Sequence, residues 1–167
     1  MFHRRHLRLS TPHHDLWRKG TATVELAVVL PVFMTILLGI AEMSRGLDVS
    51  ERLASAVRQG GREAASDLTS QIPKGSTINQ KVTKDIQNIL TASGLDGSKV
   101  LVTILHADGS SQGAPFDFQN PDNYLKYYRI TATVPYSDVG FLPRILKNKK
   151  LTASVVFRLG RTASLSN

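Results

Sequence analysis

Residues 26–41, LAVVLPVFMTILLGIA, run for 16 positions without a charge. Adding Thr21–Val24 gives 21 residues with one acid, Glu25, inside them. As an α-helix rising about 1.5 Å per residue this stretch is about 31 Å long, the thickness of one bilayer hydrocarbon core. Without Thr21–Glu25 the run is short for a span. The segment therefore either uses its N-terminal part to cross a membrane or ends early, as the apolar region of a secretory signal.

The charge pattern points the same way. The chain has 167 residues and a formal charge of +8, and half of that excess sits in the first 20 residues. There Arg4, Arg5, Arg8, Arg18 and Lys19 oppose Asp15 alone. Cations directly before an apolar span hold that end in the cytoplasm, which places the about 125 residues after the span outside. A nucleic-acid surface is more often a basic stripe on a folded domain, so no nucleic-acid partner is expected. Cysteine is absent, which excludes disulfides, thiol catalysis and cysteine-ligated metals. A composition of 41% hydrophobic and 20% charged residues excludes wholesale disorder.

Glu25 is the anomaly in the run. A carboxylate inside a membrane helix costs about 2.5–3.5 kcal/mol. Two readings remain open. Glu25 either lies at the interface, where the cost shrinks, or it is paired. If the chain were cut after Gly20, Thr21 would become a free amino terminus, and the terminus of a neighbouring subunit shifted along the axis could neutralise Glu25. Such a pair would specify register between helices. Pro31 removes a helix hydrogen bond to the carbonyl of Ala27, which membrane helices accept more readily than soluble ones. It is either a tolerated kink or, with Gly39, a site of local melting when the helix leaves lipid.

Gly20, Thr21, Ala22, Thr23, Val24 and Glu25 together resemble a type IV prepilin cleavage site. The longer stretch, with Val24, Glu25, Leu26, Ala27, Pro31, Gly39, Ile40 and Glu42, resembles the TadE-like pseudopilins of tight-adherence (Flp/Tad) pilus systems. The resemblance covers roughly residues 18–45. It implies a prepilin peptidase cutting after Gly20, and a minor pseudopilin that works with other pilins, an inner-membrane assembly platform and the lipid bilayer. A glycine before the scissile bond suits that cut, since without a Cβ the backbone can enter a tight site in extended form.

Four regions are expected: a basic leader, 1–20; a membrane-spanning pilin-type helix, 21–42; an amphipathic continuation, 43–70; and a small α/β head, 71–167. Residues 1–17 read as unstructured and 160–167 as a frayed tail. In the continuation, Gly46, Val49, Leu53, Val57, Gly60, Ala64 and Leu68 form a seam at helical spacing between charged residues. It suits either the chain's own domain or close-packed partner helices. Gly60-Gly61 should weaken the helix by about 1 kcal/mol per glycine.

In the head, Thr77 and Gln80 fit a capping box before a short helix whose face is Ile78, Val82, Ile86 and Ile89, ending near Gly94. Strands are expected over 100–105, 124–134 and 151–159, with 107–123 as loop. Tyr128, Ile130, Ala132 and Val134 alternate onto one side, as do Leu151, Ala153, Val155, Phe157 and Leu159. The predicted fold class is α+β: a long N-terminal helix packed on a small antiparallel sheet, a pilin-like layout.

Nothing suggests an enzyme. No phosphate loop, nucleophile elbow or dinucleotide fingerprint is present, and no catalytic, cofactor or metal site is assigned. Four of the five histidines fall in the leader, leaving His106. His13-His14-Asp15 reads as part of a discarded polar leader. Asp117, Asn120, Asp122 and Asn123 cluster oxygens as a calcium loop does, but not at EF-hand spacing, and turn chemistry accounts for them. Lys147, Lys149 and Lys150 read as a solvated loop. The alternative to the pseudopilin is a secreted soluble domain, released by signal peptidase near Ala41. It leaves Glu25 and Pro31 without a purpose.

Overall fold

The computed structural model describes residues 15–66, 72, 75–141 and 148–160. The chain divides into two units, Met1–Ala41 and Glu42–Asn167. Helix α1 is Asp15–Ala65, α2 is Ile78–Ala92, and the strands are β1, Leu101–His106, β2, Tyr127–Pro135, and β3, Lys150–Arg158. The fold is α+β, as the sequence predicts. Helix α1 already includes residues 15–17, expected to be unstructured. The rest of the leader through residue 14, Leu68 of the seam and the tail 161–167 lie outside the described residues.

In the second unit the strands form one antiparallel sheet in the order β1-β2-β3. Ile104 pairs with Ile130, and Ile130 with Val155. The alternation in β2 sends Tyr128, Ile130, Ala132 and Val134 inward, all fully buried. Val49, Leu53, Val57 and Ala64 of α1 and Val82, Ile86 and Leu90 of α2 complete the core. Helix α2 starts on the predicted capping box: Gln80 N donates to Thr77 Oγ1 at 3.2 Å, and Thr77 N donates to Gln80 Oε1 at 3.1 Å.

The described seam residues therefore serve the chain's own domain. Gly60 and Gly61 show why small residues stand there. A Cβ on Gly60 would collide with the Ile86 side chain, and one on Gly61 with the Phe157 ring. Tyr128 Oη also donates to the Gly61 carbonyl at 3.2 Å. The expected helix weakness is offset by close approach of α2 and the sheet.

Strand β2 begins at Tyr127 rather than Tyr124. Pro121–Asn123 forms a 3₁₀ turn, and Leu125 at φ 62° interrupts the extended chain. Strands β1 and β3 each lie one residue from their expected bounds. The segment 107–123 is loop, as expected, and it folds back onto β1. His106 N donates to Ala114 O at 2.9 Å and Phe116 N to Ile104 O at 3.1 Å. Phe116 and Phe118 thereby enter the core against Tyr128, with ring centroids 5.1 and 4.8 Å from it. His106 is buried, 4.7 Å from the Phe116 ring.

Candidate membrane anchor and helix collar

The apolar run stays helical through Pro31, and its side chains are exposed throughout. Val28 is 69% exposed, and Leu26, Phe33, Ile36 and Ile40 are all more than half exposed. Water does not favour such a surface. Contiguous apolar area on this scale marks contact with lipid or with other apolar helices.

The structure places the site residues predicted from sequence one after another along α1. Gly20 is exposed within the helix, with open space where a Cβ would stand. Glu25 is exposed and forms no ion pair with another described residue. Pro31 frees the Ala27 carbonyl, and the Pro31 carbonyl accepts a second bond from Thr35 Oγ1 at 2.8 Å. Such side-chain back-bonding supplements the helix ladder beside a proline. Gly39 has open space around its Cα.

The second unit begins with a different kind of residue. Glu42 directly follows the apolar run, yet it is buried. Its Oε2 accepts from Phe141 N at 3.1 Å, and its main-chain carbonyl accepts from Tyr136 Oη at 3.0 Å. Burying a carboxylate is costly unless it is hydrogen-bonded, and here the turn after β2 supplies the donor. Gly140 allows the approach, because a Cβ there would lie 2.7 Å from Glu42 Oε1. Burial, and then the hydrogen bond and charge of Glu42, hold the Tyr136 hydroxyl above its ordinary pKa.

The contacts continue one helical turn at a time. Arg45 Nε donates to Val139 O at 3.1 Å, and its guanidinium lies over the Phe141 ring at 5.9 Å. Asp48 receives Arg45 at 3.2 Å and Arg52 at 2.9 Å. Arg52 also donates to the carbonyl of Ser93, at the end of α2. Half-exposed ion pairs of this kind stabilise little by themselves. Their effect is to aim two guanidinium groups at main-chain carbonyls of other elements, so that Glu42, Arg45, Asp48 and Arg52 form a collar between α1 and the rest of the head.

Residues 20–62 match the family model described as TadE-like protein. This segment is TadE-like. The match takes in the apolar run and all four collar residues, and covers about a quarter of the chain. TadE-like proteins are pilus structural proteins, and the chain is similar to them over this segment. Its N-terminal apolar helix fits a membrane-anchored pilus protein. No curated protein matches the chain. No solved structure matches it either.

Beyond the TadE-like segment, reasoning from sequence missed Tyr136, Gly140 and Phe141. The one available signal was a tyrosine, a glycine and a phenylalanine spaced just past the strand ending at Pro135. The oxygen cluster at 117–123 is occupied locally. Asp117 Oδ1 accepts from Gln119 N at 2.9 Å, Asn120 Oδ1 accepts from Asp122 N at 3.0 Å, and Asn123 Nδ2 donates to Asp117 O at 2.8 Å. These are the bonds of turns.

Proposed function

We propose that the protein is a minor pseudopilin of a Tad/Flp pilus. It is held in the inner membrane by one span, with its N-terminus cytoplasmic and its head outside, and takes part in pilus assembly after cleavage between Gly20 and Thr21. What carries the reading is one coincidence within the TadE-like segment: Gly20, then Glu25, then a helix whose apolar side chains are exposed throughout. On this reading residues 1–20 are the leader, 21–42 the span, 43–70 its continuation and 71–167 the head. The partners are the prepilin peptidase, other pilins or pseudopilins, the assembly platform and the bilayer.

The helix gives the cut a physical requirement. Gly20 lies inside α1, and a peptidase binds extended backbone, so Gly20 and Thr21 must unwind first. Glycine is about 1 kcal/mol poorer than alanine in a helix, which lowers that cost. After the cut the apolar helix keeps the protein in the membrane. The new Thr21 ammonium of one subunit then neutralises Glu25 of a neighbour and sets the register between them, while Pro31 and Gly39 ease local melting on the way from lipid to filament.

N-terminal sequencing of membrane-extracted protein, from a host with the matching peptidase, is expected to begin at Thr21. A chain still carrying its leader overturns the processing. A soluble form beginning at Glu42 supports release by signal peptidase instead. Glu25→Ala is expected to leave cleavage intact and impair incorporation into pili. Normal incorporation removes the pairing.

A further inference from the structure

We infer that the head touches the bilayer holding its own anchor, with Phe141 entering the lipid headgroup layer among Arg45, Lys149 and Lys150. The inference rests on the proposed membrane span and goes beyond it, since a spanning helix can hold its head clear of the lipid. Three observations carry it.

The first is level. Phe141 N is hydrogen-bonded to Glu42 Oε2, and Glu42 is the next residue after the apolar run. If that run fills the hydrocarbon core, Glu42 stands at its edge, and Phe141 stands one hydrogen bond away. The second is exposure. Phe141 is 67% exposed, whereas Phe116 and Phe118 are buried. Met43 and Leu47, on other sides of the same helix end, are also more than half exposed. Apolar side chains at this depth gain by entering the boundary between headgroups and acyl chains.

The third is charge. Arg45 lies over the Phe141 ring. Lys149 and Lys150 are exposed at the same end of the sheet, where Tyr136 N donates to Lys149 O at 2.8 Å and Pro135 pairs with Lys150. Among the described residues, the acids towards this end include Asp138 and Asp96, which are exposed, Asp48, which is shared by Arg45 and Arg52, and Glu42, which is buried. An exposed ring beneath one guanidinium, with two exposed lysines at the same end of the sheet, suits lipid phosphate, since long cationic side chains lay apolar stems on the acyl boundary and keep their charge among the headgroups. A docked protein would need an acidic face of its own.

The full chain carries one tryptophan, Trp17. In a Trp17→Phe background, Phe33→Trp, Phe141→Trp and Ser154→Trp report in turn on the span, the proposed contact and the outer face of the sheet. Each protein is reconstituted in phosphatidylcholine–phosphatidylglycerol vesicles and quenched with acrylamide from water and with brominated lipid from within. The Phe33→Trp protein is expected to answer only to brominated lipid. The Phe141→Trp protein is expected to answer to lipid brominated near the headgroup, with an acrylamide quenching constant about half that of the Ser154→Trp protein, as for a side chain about 5–10 Å into the interface. If Phe141→Trp behaves like Ser154→Trp while Phe33→Trp stays in lipid, the contact is overturned and the anchor stands. If Phe33→Trp also behaves like Ser154→Trp, the anchor fails and the contact with it. Adding Lys149→Gln and Lys150→Gln to Phe141→Trp should raise acrylamide quenching towards the Ser154→Trp value. No change removes the lysines from the contact.

Discussion

Tyr136 donates its hydroxyl to the main-chain carbonyl of Glu42 at 3.0 Å, across 94 positions of sequence. The carbonyl belongs to a helical turn, and the hydroxyl comes from the residue just past β2. This bond and the one from Phe141 N to the Glu42 carboxylate link the first residue of the second unit to the end of the sheet's central strand.

Removing the Glu42 carboxylate should loosen that end. Glu42→Ala leaves the Phe141 N–H without its acceptor and should cost about 1–3 kcal/mol. Glu42→Gln keeps an acceptor oxygen and should cost less. Denaturant unfolding of the full chain in detergent measures both, and equal losses would show that the hydrogen bond is not what matters.

The Tyr136 hydroxyl links stability to pH. Its folded-state pKa lies above the ordinary value of 10.0, through burial first and Glu42 second. The folded protein therefore keeps this proton more tightly than the unfolded chain. The contribution is complete below about pH 10 and declines as pH rises towards the folded-state value. Melting curves taken on either side of pH 10 should show the decline, and Tyr136→Phe should flatten it. That variant should also lose about 0.5–1.5 kcal/mol at neutral pH with the hydrogen bond.

Gly60→Ala tests close approach against helix propensity. Propensity alone favours alanine by about 1 kcal/mol. The added methyl would meet Ile86, which is fully buried and has nowhere to go. Overpacking of this kind costs about 1–3 kcal/mol, so the net effect should be destabilising. Gly61→Ala should be milder, because Phe157 is only partly buried and can swing aside. Thermal unfolding ranks the two, and a stabilised Gly60→Ala protein would contradict the packing.

Asn79 holds the segment after β1 in place. Its Nδ2 donates to Phe116 O at 2.5 Å, and its Oδ1 accepts from Phe118 N at 3.3 Å. Asn79→Ala should cost about 1–3 kcal/mol and make residues 107–120 accessible to protease, while Asn79→Asp, which keeps only the acceptor, should fall between. Limited proteolysis with mass mapping of the first cuts checks both.

The local features were legible in the sequence because their cause is local. The capping box at Thr77 and Gln80 needs four consecutive residues. The alternation of Tyr128, Ile130, Ala132 and Val134 needs only the strand repeat of two, and the seam at Val49, Leu53 and Val57 only the helical one. The 107–123 segment is the loop that its turn residues predict, but that reading left out its packing on β1 and the core. Its two phenylalanines were the overlooked sign that it returns to the core.

By itself, then, the sequence determined the α+β class, the apolar run with Glu25 and Pro31 inside it, and the periods of the helices and strands, since each follows from spacing along the chain. Only the tertiary structure decided that Gly60 and Gly61 make room for Ile86 and Phe157, that Asn79 ties down a distant segment, and that Glu42 is a buried hydrogen-bond acceptor rather than a side chain left in solvent after the apolar run. Those properties belong to pairs of residues far apart in the chain, and no local pattern records which of them folding will bring within a hydrogen bond of each other.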